Sequence, residues 1–199
     1  MKYPKLREIK GALTSLFTRP YTTKFPKQPH IPFSSFRGKP QYDEEKCIGC
    51  AACVNVCPAF ALSFEDIHDE IESKRVFTIK WDVCIECGQC QLNCPTEEGI
   101  VLSQEFDIST TETRADLIQR IEKEMIVCEC CDELIACKDH LLWTMEKVGP
   151  LYTSNTTLIT FAQRRLSVSD HLPSSKESLR SDRFTILCPR CRREAVVAS

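Results

Sequence analysis

Two stretches decide the reading of this chain: "CIGCAACVNVCP", residues 47–58, and "CIECGQCQLNCP", residues 84–95. Both have the form Cys-x2-Cys-x2-Cys-x3-Cys-Pro, and the second repeats the first thirty-seven positions later. Four thiolates converging on one inorganic core need this arrangement. Three cysteines at i, i+3 and i+6 wrap a tight loop around a [4Fe–4S] cube, while its backbone N–H groups face the sulfides. The fourth begins a helical turn, points away and reaches the other cluster in two-cluster proteins. The spacing therefore assigns Cys47, Cys50, Cys53 and Cys94 to a first cluster, and Cys84, Cys87, Cys90 and Cys57 to a second. Pro58 and Pro95 redirect the chain after the last ligand, and the small residues Gly49, Ala51, Ala52 and Gly88 suit contact with a cluster or an ordinary turn.

Working outward, each motif is followed by similar text, "AFALSF" and "TEEGIVLSQEF". "VFTIKWDV" reads as a strand entering the second motif, and the acidic "EDIHDEIESK" before it as a hairpin tip or loop. Two copies of strand, cluster loop, short helix and strand give a ferredoxin-like unit over residues 42–106.

Ahead of it, residues 1–41 form a basic arm. Residues 1–40 contain nine Lys/Arg against the single acid Glu8, and six of the eleven prolines. The chain as a whole carries a net charge of -2, so the remainder is acidic. Leu6, Ile9, Leu13, Leu16 and Phe17 recur at helical spacing until Pro20. That predicts a short amphipathic helix, which packs on its own domain or docks on a partner or an anionic membrane face. Residues 20–40 predict an extended strap whose aromatics, Tyr21, Phe25, Phe33 and Phe36, need a surface to cover them.

Behind the motifs, "TETRADLIQRIEKE" places Leu117, Ile118 and Ile121 on one helical face and predicts a helix. "DELIACKDHLLWTMEKV" predicts another, stopped at Gly149-Pro150. "RFTIL" predicts a strand running into "CPRC", and residues 150–182 give no clear pattern.

The six cysteines outside the two motifs fall in the helical and Cys-rich C-terminal region, residues 107–199. Cys128-x2-Cys131 and Cys188-x2-Cys191 each follow a short β-like run. That is the layout of two zinc knuckles closing a four-thiolate tetrahedron, with Cys130 as an alternative ligand. A third iron–sulfur cluster, a mononuclear iron, or unliganded thiols are the other readings. Cys137 is expected to sit in helix core beside Leu134 and Leu141, on the face that His140 shares. His30, His68 and His171 read as surface or loop positions, not ligands.

Fourteen cysteines would suit a secreted disulfide scaffold, but "MKYPKLREIKGALTSLFTRP" has no export-signal pattern. No apolar run approaches the length of a transmembrane helix. A reducing compartment and metal-bound thiolates are the expectation. The basic arm and "CPRCRRE" invite a nucleic-acid module, but the arm's prolines and aromatics suit a protein surface and the body is acidic. No Gly-rich nucleotide loop, flavin motif or nucleophile constellation points to a stand-alone enzyme.

The arm and repeat together, "LTSLFTRPYTTKFP", "FRGKP", "CIGCAACVNVCP", "CIECGQCQLNCP" and "LSQEF", resemble the two-cluster ferredoxin subunit of respiratory complex I. They resemble still more its counterpart in formate hydrogenlyase and related membrane-bound [NiFe] hydrogenases. The likeness spans roughly residues 10–135 and 184–193. The complex I subunit ends soon after its second motif, whereas the formate hydrogenlyase subunit continues into a Cys-rich stretch and a later Cys-Pro-x-Cys, as here. The family spacing of the early tail cysteines is Cys-x-Cys-x2-Cys, which departs from Cys128, Cys130 and Cys131.

The resemblance implies an α+β protein with a bacterial two-cluster ferredoxin-like domain and an extended N-terminal arm, and the Cys-x2-Cys spacing adds a small Cys-rich, zinc-ribbon-like C-terminal region. It implies a non-catalytic electron-transfer subunit of an oxidoreductase complex. Its partners would be the hydrogenase small and large subunits, an electron-donating ferredoxin-like subunit and membrane subunits, at the cytoplasmic face of the inner membrane. A complex I type of dehydrogenase is the alternative setting.

Overall fold

The computed structural model describes residues 5–69, 72–111, 113–166 and 185–197. His171, Arg183 and Phe184 lie outside them. The chain divides into two compact units, residues 1–36 and 37–199, and each is described by itself.

The first unit contains helix α1, Leu6–Phe17. Its amphipathic spacing forms the expected helix, and the Glu8 carboxylate accepts the Lys5 N–H at 2.9 Å to satisfy the N-terminus. Leu6, Leu16 and Phe17 are exposed. Residues 19–36 form turns and extended chain with no strand or helix, as six prolines over residues 1–40 dictate.

The second unit carries the repeat. Its first half runs through β1 (Pro40–Tyr42), α2 (Ala52–Asn55) and β2 (Leu62–His68). The second half is β3 (Ser73–Lys80), α3 (Gln89–Leu92) and β4 (Ile100–Leu102). β1 pairs antiparallel with β4, Gln41 opposite Val101, and β2 with β3, Phe64 opposite Phe77. The repeat extends to the backbone. Gly49 and Glu86, Ala51 and Gly88, and Phe60 and Glu97 all have positive φ, each pair one repeat apart. At these positions the cluster loops turn sharply, and only at Gly49 and Gly88 does the residue type make that easy.

β2 begins at Leu62 and runs to His68, so "EDIH" is strand and not loop. Along β2 only Leu62 is buried, and Ser63 to Asp66 all lie on the exposed side.

The larger departure comes next. Residues 118–127 are not a helix. After a single 3-10 turn at Arg114–Leu117 the chain forms β5, Ile118–Val127. Ile121, Lys123 and Met125 point inward in strict alternation. Ile118 and Ile121 fit a helical face equally well, and a seven-residue pairing along β3, from Lys74↔Glu124 to Lys80↔Ile118, decides for the strand. Gln119 fixes its start: its amide accepts the Tyr42 N–H at 2.9 Å and donates to the Tyr42 carbonyl at 3.2 Å. β5 then pairs with β6, Leu134–Cys137, which completes a sheet of order β2-β3-β5-β6. The sheet thus draws strands from both sides of residue 106.

Two tail segments also differ from expectation. The predicted helix from Asp132 starts only at Lys138, as α4 (Lys138–Val148), because "LIAC" is held on the sheet edge. Residues 185–187 form no strand, and "PRC" opens α6, Pro189–Val197. Between them lies α5, Thr156–Arg165, within the stretch that lacked a pattern; Asn155 caps it, accepting the Thr157 and Leu158 N–H groups.

The core beneath the repeat joins Tyr42, Leu62, Phe77, Ile79, Ile100 and Ile121 to the motif cysteines Cys53 and Cys90. Phe77 is 1% exposed and packs against Tyr42, ring centres 5.8 Å apart. Burying one such side chain stabilises the fold by about 1.5–3 kcal/mol.

Candidate iron–sulfur and metal sites

The two motif loops each line a small cavity, and the linings are crossed. One cavity is lined by Cys47, Cys50, Cys53 and Cys94. The other is lined by Cys84, Cys87, Cys90 and Cys57. In each, three thiols come from one loop and the fourth from the helical turn after the other.

Secondary structure explains the partition. α2 and α3 start at Ala51 and Gly88, both left-handed, and lie beside each other. Cys53 and Cys90 fall inside these helices, while Cys57 and Cys94 lie two residues past their ends, each directed to the opposite loop.

The surroundings are apolar. Burial pushes the Cys53 thiol up to about 12, against a hydrogen bond with Tyr42 Oη at 3.3 Å. Burial likewise pushes Cys90 up to about 11. Cys47 and Cys84 are also raised, chiefly by burial and further by neighbouring thiols, Cys94 and Cys57 among them. Thiols so placed are proton-bound at neutral pH unless a cationic centre takes the proton's place. Backbone N–H groups already point at sulfur, Glu86 to Cys84 Sγ at 3.4 Å among them.

A second, different grouping lies in the tail. The Sγ atoms of Cys128, Cys131, Cys188 and Cys191 all fall within 4.8 Å of one another. Cys131 and Cys188 are 3.7 Å apart. A tetrahedral ion with metal–sulfur bonds of 2.3 Å has thiolates about 3.8 Å apart, so the four thiols fit a single ion of zinc size. The Cys188 N–H donates to Cys128 Sγ at 3.2 Å and the Cys191 N–H to Cys188 Sγ at 3.5 Å. Burial raises the Cys128 thiol, but backbone donors at 188, 130 and 131 outweigh it and bring it down to about 7. The first half of the site is a turn between β5 and β6, as a knuckle requires; the second is the first turn of α6 rather than a knuckle.

Cys130 is exposed and outside the four. Cys137 is fully buried, as expected, but it ends β6 rather than sitting within a helix. It packs on the first cluster loop, at Gly49. His68 is exposed and bonds Ser73 Oγ at 2.7 Å, and His30 is exposed. The residues that sequence reasoning missed are Arg75 and Lys123. Both sit on strands and reach the first loop across the sheet, and no local pattern announces them.

Residues 38–98 match the 4Fe-4S dicluster domain. The chain is 30% identical over 115 residues to NADH-quinone oxidoreductase subunit I 2 of Geobacter metallireducens, covering 55% of this chain and 87% of that one. It is 34% identical over 120 residues to formate hydrogenlyase subunit 6 of Escherichia coli, covering 60% and 64%. With NAD(P)H-quinone oxidoreductase subunit I of Gloeobacter violaceus it shares 35% identity over 95 residues, 46% and 44%. The chain thus spans less than two-thirds of the last two relatives.

Proposed function

Because the chain belongs to the NADH-quinone oxidoreductase subunit I family of two-cluster [4Fe–4S] proteins, we propose that it relays electrons within a larger oxidoreductase complex. The observation that carries this reading is the crossed lining of the two cavities. Each bound cluster supplies a one-electron redox couple. Cys47, Cys50, Cys53 and Cys94 hold the first, and Cys84, Cys87, Cys90 and Cys57 the second. Tyr42, Phe77 and Ile100 exclude water from the first, while Leu62 and Leu102 wall the second. Sharing ligands between motifs would hold two bound clusters side by side, where they could exchange electrons directly. The protein's part is to hold two redox centres in fixed, dry positions.

The complex we favour is a membrane-associated formate hydrogenlyase or [NiFe] hydrogenase type. The four-thiol grouping after the dicluster domain favours it, because the resemblance places such a tail in that branch. The relatives named as NADH- and NAD(P)H-quinone oxidoreductase subunits favour a complex I type as the second reading. In either setting partners are hydrogenase or dehydrogenase subunits, a ferredoxin-like donor and membrane subunits. Among the described residues no helix is long and apolar enough to cross a membrane. Attachment would therefore run through partners, with the basic arm and the exposed apolar residues of α1 as the docking element at the cytoplasmic face. In the zinc-ribbon-like tail, Cys128, Cys131, Cys188 and Cys191 would hold one zinc ion that ties two distant segments together without redox chemistry.

Affinity purification with metal analysis on the same sample tests the reading. About eight irons and one zinc per chain, with [NiFe] hydrogenase subunits co-purifying, is the expected result. Recovery of NADH dehydrogenase subunits alone would move the protein to the second reading.

A further inference from the structure

The two cluster loops are alike in backbone and unlike in surroundings. Ile48 in the first loop is 9% exposed, whereas its repeat partner Ile85 is 63% exposed. Gly49 in the first corresponds to Glu86 in the second. β3, β5 and β6 cover the first loop, and two cations come with them.

Arg75, on β3, is the more direct. Its Nη1 donates to the Gly49 carbonyl at 3.2 Å, between Cys47 and Cys50. Its Nε and Nη2 clasp Asp66 at 2.6 and 2.8 Å, and its Cζ lies 4.4 Å above the Phe64 ring. The side chain is 16% exposed. Lys123, on β5, donates to Asp139 at 3.0 Å and to the Glu44 carbonyl, and is 8% exposed. The second loop has an arginine of its own, Arg37, donating to the Cys87 carbonyl at 2.9 Å. That arginine is exposed, so solvent and salt screen it. The screened contact and the buried one differ in what they do to a neighbouring charge.

A [4Fe–4S] cluster gains one negative charge on reduction, and its potential follows the fixed charges and hydrogen bonds around it. A half-dry guanidinium touching its loop stabilises the reduced form. A carboxylate clamped to that guanidinium offsets part of the effect and holds it in place. We propose that Arg75 and Asp66 are an opposed pair of tuning residues for the first cluster, setting its reduction potential independently of the second. Neither touches the cluster; both act through the Cys47–Cys50 loop.

The inference rests on the ligand partition proposed above, and its test separates the two. Full-length protein is reconstituted with iron and sulfide, and each cluster's midpoint is read by EPR-monitored redox titration, with Cys57→Ser marking the second cluster's signals. Arg75→Gln leaves Asp66 uncompensated and should lower the first midpoint. Asp66→Asn leaves Arg75 uncompensated and should raise it. Each shift is expected to be about tenfold in the one-electron equilibrium, or about 59 mV. Arg75→Lys, which keeps the charge, should restore most of the loss. The second midpoint should stay fixed throughout. Shifts of the same sign in the two opposed variants, or no shift, in protein that retains eight irons overturn the proposal while sparing the ligand assignment. Should Arg75→Gln fail to hold clusters, the rise in Asp66→Asn carries the test alone, and its absence overturns the proposal. Fewer than eight irons in the unmodified chain sinks the ligand assignment and the inference with it.

Discussion

Cys137 closes over Gly49. A methyl group placed on Gly49 would meet Cys137 Sγ at 2.5 Å and its Cβ at 2.8 Å, so the end of β6 sits directly on the first cluster loop. Gly49 also has a φ of +74°. Close approach and left-handed backbone both require glycine at this one position. The contact packs the end of β6 directly on the first cluster loop.

From this contact we expect Gly49→Ala to be costly. Backbone strain contributes about 1–3 kcal/mol, and displacement of Cys137 adds to it. The first cluster should be lost or become labile while the second remains. Iron content after gel filtration, with the EPR of the surviving cluster, reads this. Cys137→Ala in the same background relieves the clash and should recover part of the iron.

In the tail, Cys131→Ser or Cys188→Ser should abolish the single bound ion and leave about eight irons. Cys130→Ser, outside the four-thiol set, should leave both metals in place. Metal analysis of the three variants separates a four-thiolate site from a set of unliganded cysteines. An undiminished zinc content in Cys188→Ser would exclude the assignment.

The tail's fold has a hinge pin in the ion pair of Arg164 with Glu129. Arg164 Nη2 donates to Glu129 Oε2 at 2.7 Å, and the same carboxylate accepts the Ile186 N–H at 3.1 Å. The side chains are 13% and 18% exposed. Arg164→Ala strands a nearly buried carboxylate and should cost about 3 kcal/mol. Thermal unfolding of the tail should move down, and zinc should be released at lower chelator concentration. The eight-iron unit should be unaffected.

For the arm, deletion of residues 2–18 should leave both clusters intact and weaken recovery of the complex. Equal recovery of partner subunits from full-length and truncated protein would remove the docking role from α1.

Much of the redox unit could be read directly from its cysteines, because spacing alone dictates which thiols converge. The strand–helix repeat followed for the same reason. The tail was less legible. Ile118 and Ile121 satisfy a helix and a strand alike, and the choice is made by β3 and by the Gln119 clasp on Tyr42, contacts far apart in sequence. Cys137 read as core, and it is, but its partner Gly49 lies almost ninety positions away. Arg75 carries no local signal at all; its role exists only once β3 lies beside the first loop. The four tail thiols were visible as two Cys-x2-Cys pairs, while the helix that presents the second pair was not.

The most direct test of the crossed arrangement is the spectrum of Cys57→Ser beside those of Cys84→Ser and Cys47→Ser. Cys57 stands in the first motif but lines the second cavity. Its variant should lose the same cluster signal as Cys84→Ser and keep the one that Cys47→Ser loses. A Cys57→Ser protein whose spectrum matches Cys47→Ser, with the Cys84 cluster intact, would contradict the account.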